Sequence, residues 1–342
     1  MNKILNFSTL SQDSPQIPKP TEKIISGKPF VYWGENNDYP NFLYDLYLNS
    51  ALLGALLNST IDYINGDGLI NDKVVNKNNE MLSSVIRKIS VDRCVFGGFA
   101  LEIIKNFNEE ISEIYHIDVS KLRLNEKEDK VFYCKNWKKR NEKIIEFELY
   151  DETKKQNHSI LYFKGFNTRE TYPLPPYFSS IKEIETGINI SDFHLSTIKN
   201  NFSGSFFINF NNGQPDEETK KTIESKIKEK FCGSENAGKF LISFNDSKEN
   251  EVTLQRIDSD DFDEKYKVLS EHVQKTICLS LRCAPVLIGL NPENNGFSKT
   301  EYNELFQIYN LTTIRPLQRE IMNVINKLYK NEKIEIKPFK ID

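Results

Sequence analysis

Two long helices with narrow apolar seams, separated by a short insert, constrain this chain more than any other feature. The first is predicted over residues 178–202 and the second over residues 259–284. A narrow seam of about two apolar residues in seven is typical of helices that pack against other helices rather than on a globular core. The seam of the first helix consists of Ile181, Ile184, Ile188, Leu195, Ile198 and Phe202, with Ser191 at the remaining d position, and that of the second begins with Tyr266, Leu269, Val273 and Ile277.

The insert between the two helices, residues 203–257, is too small to be comfortably stable alone. It is predicted to hold strands at 206–210, 240–244 and 252–257, and a helix that Asp216 caps. Because so short a segment buries little surface, we expect it to need the rest of the chain or further copies of itself.

The chain before these helices is predicted to form one α+β domain over residues 30–170. Three helices are expected first, the second capped by Ser50 and ended by Gly66, and the third running from about Asn79 to Phe96. Five short runs are then expected to form a small antiparallel sheet or partial barrel, at residues 100–105, 111–117, 130–134, 144–150 and 159–163. Residues 1–29 carry four prolines and predict an extended arm.

The chain after the second long helix is predicted to be a loop followed by one more helix. Ser298 and Glu301 form a capping box at the start of that helix, which runs to about residue 330. Pro316 lies inside it and cannot donate a hydrogen bond to Thr312, so we expect a kink there. Residues 333–337 are strand-like.

The composition excludes several classes of protein. The chain has 45 Lys and Arg and 49 Asp and Glu, which gives a net charge of -4. It therefore lacks the excess of basic residues that is typical of a protein that binds nucleic acid tightly. The densest apolar run, Ala51–Leu57, is far shorter than the ~20 residues of a membrane-spanning helix, and the first residues make a poor signal peptide. Five irregularly spaced cysteines without a C-x-x-C motif indicate reduced thiols and no zinc ribbon.

The motifs that could carry catalysis are incomplete. Residues 233–239 match G-x-x-x-x-G-K, but Phe240 stands where a phosphate-binding loop needs Ser or Thr, and the expected helix precedes the motif instead of following it. His116 and Asp118 are interpreted as strand-end residues rather than metal ligands. The aromatic loop at residues 33–40 is interpreted as a packed loop, with binding as the alternative. We therefore expect a protein that is not an enzyme and that binds no cofactor or metal ion. A nuclease or an ATPase is the remote alternative.

The order of these parts over roughly residues 30–330 resembles the portal proteins of tailed bacteriophages. The resemblance begins with the segment from Trp33 to Leu69. It is stronger in the C-terminal half, which runs from the helix ending in Lys199-Asn200-Asn201-Phe202 through GSFFINF and SENAGKFLISF to the segment Arg282–Leu290 and the proline-containing helix. No one motif is decisive, but their order and spacing are specific.

The resemblance implies a portal-like α+β fold with named parts. These are an N-terminal arm (1–29), a wing (30–177), a first stem helix (178–202), a clip (203–257), a second stem helix (258–288), a channel loop (289–298), and a kinked wing helix with a short tail (299–342). Portals commonly continue into a helical crown, and the few residues after the kinked helix imply a minimal one.

The resemblance also implies a ring of about twelve copies at one capsid vertex. Double-stranded DNA would pass through it without sequence-specific binding, and the partners would be the major capsid protein, the large terminase and a head–tail adaptor. The protein would be made in the host cytoplasm and end in the virion. A head–tail adaptor or minor capsid protein is the alternative.

Three sets of residues follow from the resemblance. The channel loop would present Asn291, Glu293, Asn294, Asn295, Phe297 and Lys299 to DNA. The stem would turn Lys182, Lys199, Lys265, Lys267 and Lys275 towards the channel, although an ordinary solvated face remains an open interpretation of these lysines. The apolar seams would pack the stem helices, and Pro316 would kink the wing helix.

Overall fold

The structure is a computed structural model, and it describes residues 17–165, 171–199, 206–210, 216, 218–219, 221–222, 240–244, 262–290, 298–329 and 332–339. The chain divides into two compact units. The larger unit comprises residues 1–184 and 275–342, and the smaller unit comprises residues 185–274.

Three helices of the larger unit lie early in the chain: α1 (Tyr39–Asn49), α2 (Ala51–Asn65) and α3 (Leu82–Val95). The Ser50 side chain accepts a hydrogen bond from the Leu53 amide, which confirms the predicted cap of α2. Gly66 ends α2 at a positive φ of 54°, as its lack of a Cβ allows. The C-terminal segment lies beside this end of α2, where Leu69 pairs with Ile336.

Two strands precede these helices and six follow α3 in the larger unit, and they form antiparallel sheets. The strands are β1 (Glu22–Ile24), β2 (Val31–Trp33), β3 (Gly98–Lys105), β4 (Ile111–Ile117), β5 (Leu122–Leu124), β6 (Lys130–Cys134), β7 (Ile144–Glu148) and β8 (His158–Lys164). One sheet has the order β4-β3-β8 and another β5-β6-β7, while β1 pairs with β2. The five predicted strands are confirmed, but they lie in two sheets rather than one, and β5 pairs with β6 in the second sheet. A parallel bridge between Leu149 and Ile160 links the two sheets, and the partial barrel stays a prediction.

The start of α3 and the pairing of the N-terminal arm also differ from the prediction. Helix α3 starts at Leu82 rather than Asn79, because Asn79 has a φ of 57° and Val74 pairs with Met81 across that turn. The predicted arm is also partly paired, since β1 lies within it. Its Glu22 carboxylate accepts hydrogen bonds from the amides of Thr171 and Tyr172.

Among the described residues after residue 177 are two long helices, two strands between them, helical residues at 218–219 and 221–222, and a final helical segment. A single 3-10 turn at Phe178–Ser180 precedes α4 (Ile181–Lys199), and α5 covers Phe262–Ser280. Between them, β9 (Phe206–Phe210) and β10 (Phe240–Phe244) pair in parallel. The Asp216 carboxylate accepts a hydrogen bond from the Thr219 amide at 2.7 Å, as predicted for an N-cap. The third predicted strand of the insert and the G-x-x-x-x-G-K segment lie outside the described residues.

The final helical segment contains a change of helix type that the sequence did not indicate. Helix α6 covers Lys299–Tyr309, and Ser298 is its N-cap. The Ser298 hydroxyl accepts a hydrogen bond of 3.1 Å from the Glu301 amide, which confirms the predicted cap. A π-helical turn at Asn310–Ile314 then leads into α7 (Arg315–Leu328).

Candidate assembly and channel surfaces

Helices α4 and α5 run antiparallel, and residues 185–199 of α4 and 262–274 of α5 belong to the smaller unit. The Phe193 ring stacks on the Tyr266 ring with a centroid separation of 5.2 Å. Further along, a Cβ on Gly187 would lie 3.2 Å from a methyl group of Val273, so the absence of a side chain lets the helices approach closely. These two contacts set the register between the helices.

The predicted seam is covered at some positions and exposed at others. Ile181, Ile184 and Val273 are buried, and Ile188 and Tyr266 are half-buried. Leu195 and Leu269 are exposed. The side chain of Ile198 and the whole of Phe202 lie outside the described residues.

The smaller unit exposes more apolar surface than the predicted seam alone. Leu195 is 51% exposed and Leu269 38%, and Phe193 and Val268 are exposed as well. Several large apolar side chains on one short helical pair form a surface of the kind that other protein covers.

The pairing of Phe193 with Tyr266 was missed from the sequence. Phe193 lies two residues before Leu195 and falls outside the heptad positions, as does Gly187. Which residues meet in an antiparallel pair depends on the path of the chain between the helices, and no local spacing reports that path. Gly187, the one glycine in α4, was the only available signal of a close approach.

The predicted channel lysines are described only in part. Lys267 and Lys275 are exposed on α5, and Lys182 is exposed near the start of α4. The side chains of Lys199 and Lys265 lie outside the described residues.

The predicted channel loop is flanked by described residues but is not itself described. Asn291, Glu293, Asn294, Asn295 and Phe297 lie outside the described residues. The chain reaches them after a 3-10 turn at Pro285–Ile288, which Gly289 ends at a φ of 80°. It leaves them at Lys299, the exposed first residue of α6. The role of the loop stays a prediction.

Pro316 lies just after the π-helical turn. The amide of Arg315 donates to the oxygen of Asn310, the longer bond that defines this turn. Just before it, the Tyr309 hydroxyl lies 2.8 Å from that of Thr60, a buried contact that holds this segment to α2. The helix therefore changes its hydrogen-bond pattern in the turn before the proline, and the kink stays a prediction.

The residues that could suggest a metal site have structural partners. Nε2 of His116 lies 2.9 Å from a carboxylate oxygen of the buried Asp92. The Asp118 carboxylate accepts a hydrogen bond of 2.9 Å from the Ser120 amide. Among the described residues, no group of three or more His, Cys, Asp or Glu side chains could hold a metal ion. Within the same part of the chain, no helix has both the length and the apolar character to span a membrane.

Comparison with known proteins gives one family match. A family model described as "Phage portal protein" matches residues 71–339, well over half of the chain. No curated protein matches the sequence.

Several solved structures share the fold. A chain of the virion of a native gene transfer agent particle has a TM-score of 0.57 at 14% identity, covering 86% of this chain and 83% of that one. A chain from the neck of that kind of particle, computed with C12 symmetry, has a TM-score of 0.54 at 15% identity, with coverages of 87% and 84%. An HK97-family phage portal protein from Corynebacterium diphtheriae has a TM-score of 0.52 at 12% identity, with coverages of 86% and 94%. At these identities the matches establish a shared mixed α+β fold.

Proposed function

The chain belongs to the phage portal protein family, and from this premise we propose that its copies close into a ring at one capsid vertex through which double-stranded DNA enters and leaves. The family assignment agrees with the expectation of a structural protein rather than an enzyme. The neck particle with C12 symmetry, whose chain shares this fold, supports a ring of about twelve copies.

The observation that carries this proposal is the exposed apolar surface of the smaller unit. Leu195 and Leu269 occupy heptad positions on α4 and α5, yet a single chain leaves them exposed. Side-by-side packing of neighbouring helical pairs around a ring would bury this surface and so favour assembly.

The parts of the chain are assigned on the same premise. Residues 30–177 and 299–342 form the wing, 178–202 and 258–288 the stem, 203–257 the clip, and 289–298 the channel loop. The long α4 and α5 helices on either side of the β9–β10 pair support the assignment of stem and clip. The clip would face the large terminase during packaging and a head–tail adaptor afterwards, and the wing would meet the major capsid protein.

The charge of the chain suits a channel that lets DNA slide. Each neutralised phosphate releases counterions and adds affinity, so a strongly basic wall would hold DNA in place. With a net charge of -4 per copy, the chain lacks the basic excess that would bind DNA this tightly. Exposed lysines such as Lys267 and Lys275 would offset repulsion locally without creating a tight site.

Purified full-length protein tests the proposal. Mass photometry over a range of concentrations and salt should show a closed species of about twelve subunits, and cryo-EM images down its axis should show a central hole. A protein that stays monomeric under all of these conditions would rule the proposal out.

A further inference from the structure

One exposed face of the larger unit carries two large apolar side chains beside a carboxylate. On α1 and the start of α2, Tyr44, Asp45, Leu48 and Ala51 are exposed, with Tyr44 at 45% and Leu48 at 60%. We call this the α1–α2 face. Asp45 is the charged residue of this face. Residues 29–72 include six Asp or Glu and no Lys, Arg or His, but Glu35, Asp38 and Asp62 form ion pairs with Lys23, Lys138 and Arg87.

A second exposed face of the same unit is basic and partly apolar. On α6, the π-helical turn and α7, Ile308 is 59% exposed and Leu311 58%, and Arg315 and Arg319 are exposed beside them. We call this the α6–α7 face. Neither arginine has an ion-pair partner in the described part of the chain. Each face thus presents two large apolar side chains, beside Asp45 on the first and beside Arg315 and Arg319 on the second. Each also has a charge of the other sign nearby, Lys138 near Asp45 and the exposed Glu304 one turn before Ile308.

The two faces lie on opposite sides of one layer of helices. The buried hydroxyls of Thr60 on α2 and Tyr309 on α6 are 2.8 Å apart, so these residues mark where the helices meet. At about 100° per residue, the exposed Ala51 lies on the side of α2 opposite Thr60, and Leu311 lies on the side of its helix opposite Tyr309. The hydrogen bond between the Tyr47 hydroxyl and Asn58 holds α1 next to the exposed stripe of α2.

We propose that the α1–α2 face of one copy docks on the α6–α7 face of the next copy. The inference rests on the ring proposed above and specifies its contact in the wing. Opposite charges favour this pairing over a contact between two identical faces, which would place like charges together. A head-to-tail contact between different faces on opposite sides of a subunit is the arrangement that generates a ring.

Cross-linking between engineered cysteines tests which faces meet. In full-length protein with Cys232→Ser, the Leu48→Cys/Leu311→Cys variant treated with a short bis-maleimide should give a ladder of covalent oligomers beyond the dimer. The native cysteines 94, 134, 278 and 283 are buried and should not react. Each single variant should give no cross-link, and a mixture of the two should give a dimer only. Ile70→Cys/Leu311→Cys is a matched control, since Ile70 is 52% exposed but lies outside both faces.

Charge reversal tests the contact independently of cross-linking. Asp45→Arg and Arg315→Glu should each raise the concentration needed for ring assembly about tenfold, and the two together should largely restore it. Asp67→Arg, an exposed change outside both faces, is the matched control. Circular dichroism establishes that each variant is folded.

The outcomes separate this inference from the ring itself. If the unmodified protein forms rings while the reversals have no effect and no ladder appears, the faces do not meet and the ring proposal stands. A ladder-free dimer from Leu48→Cys alone would instead indicate a symmetric contact and also overturn the inference. If the unmodified protein forms no ring, the proposed function fails and the inference fails with it.

Discussion

The Nη2 atom of Arg123 donates a hydrogen bond of 2.8 Å to the backbone oxygen of Asn37, 86 residues earlier in the chain. Arg123 is fully buried, and its Nη1 atom donates to the backbone oxygens of Ser120 and Leu122 at 2.9 and 2.7 Å. Burial lowers the pKa of this guanidinium to about 10. The side chain therefore ties the loop before α1 to the start of β5 through neutral acceptors rather than a carboxylate.

Replacing Arg123 should destabilise the larger unit. Arg123→Met keeps much of the volume but leaves several buried oxygens without donors, which we expect to cost about 2–4 kcal/mol of unfolding free energy. Urea denaturation followed by tryptophan fluorescence measures this, because Trp33 lies in the same core. Arg140→Met, at an exposed position, is the matched control and should be nearly neutral. An unfolding midpoint for Arg123→Met equal to that of the control would contradict this account.

Alanine substitutions at two glycines after α2 distinguish the effect of backbone strain from that of a steric clash. Both have positive φ, 54° for Gly66 and 88° for Gly68, so alanine is strained at either by about 1 kcal/mol. A Cβ on Gly66 would also lie 2.2 Å from the oxygen of Lys337, whereas nothing lies within 4 Å of one on Gly68. We expect Gly66→Ala to displace the C-terminal segment and Gly68→Ala to leave it in place.

Hydrogen exchange distinguishes the two glycine variants. The backbone amide of Lys337 donates a hydrogen bond of 2.8 Å to the backbone oxygen of Gly68. The backbone amide of Ile70 donates one of 3.0 Å to the backbone oxygen of Glu335. Both amides should lose protection in Gly66→Ala and keep it in Gly68→Ala. Equal loss in the two variants would mean that backbone strain alone accounts for the effect.

Periodicity was sufficient to predict the helices and most strands, because each repeats a local spacing that the sequence displays. The Ser50 and Ser298 caps are also local and were confirmed. The aromatic loop at residues 33–40 packs as interpreted, with Trp33 stacked on Tyr172 at 4.5 Å.

Contacts between distant segments were beyond the reach of local patterns. The three-residue β5 is too short to show alternation, yet it forms an edge strand of the second sheet. Arg123 lies within β5 and nothing in its neighbours indicates burial of a charge. The same holds for the Thr60–Tyr309 pair, whose members are 249 residues apart.

The buried Asp92 should make stability depend on pH. Burial raises the pKa of this carboxyl, with Asp118 adding to the effect and His116 and the Val119 amide opposing it. The folded protein therefore holds this proton at pH values where the unfolded chain, with a pKa of about 3.9, has lost it. The resulting stabilisation is fully present below that value and is lost as the pH rises through the folded pKa. Urea denaturation between pH 4 and 7 should show wild-type protein losing stability relative to Asp92→Asn, and a constant difference would contradict this.

Enlarging a side chain in the channel loop should impair packaging without preventing ring assembly. Within residues 289–298 only Glu293 is charged, and Lys299 follows directly, so the loop suits loose contact with passing DNA; Asn294 lies in the middle of the loop. Asn294→Trp adds a large ring on which bases can stack, and in about twelve copies it would narrow the channel. We expect rings of normal mass but a severalfold drop in nuclease-protected DNA per particle. Asn141→Trp, at an exposed position in the turn between β6 and β7, should leave both unchanged. A normal DNA yield from Asn294→Trp would show that this loop does not contact the DNA, because a ring of bulky side chains at a constriction cannot leave its passage unaffected.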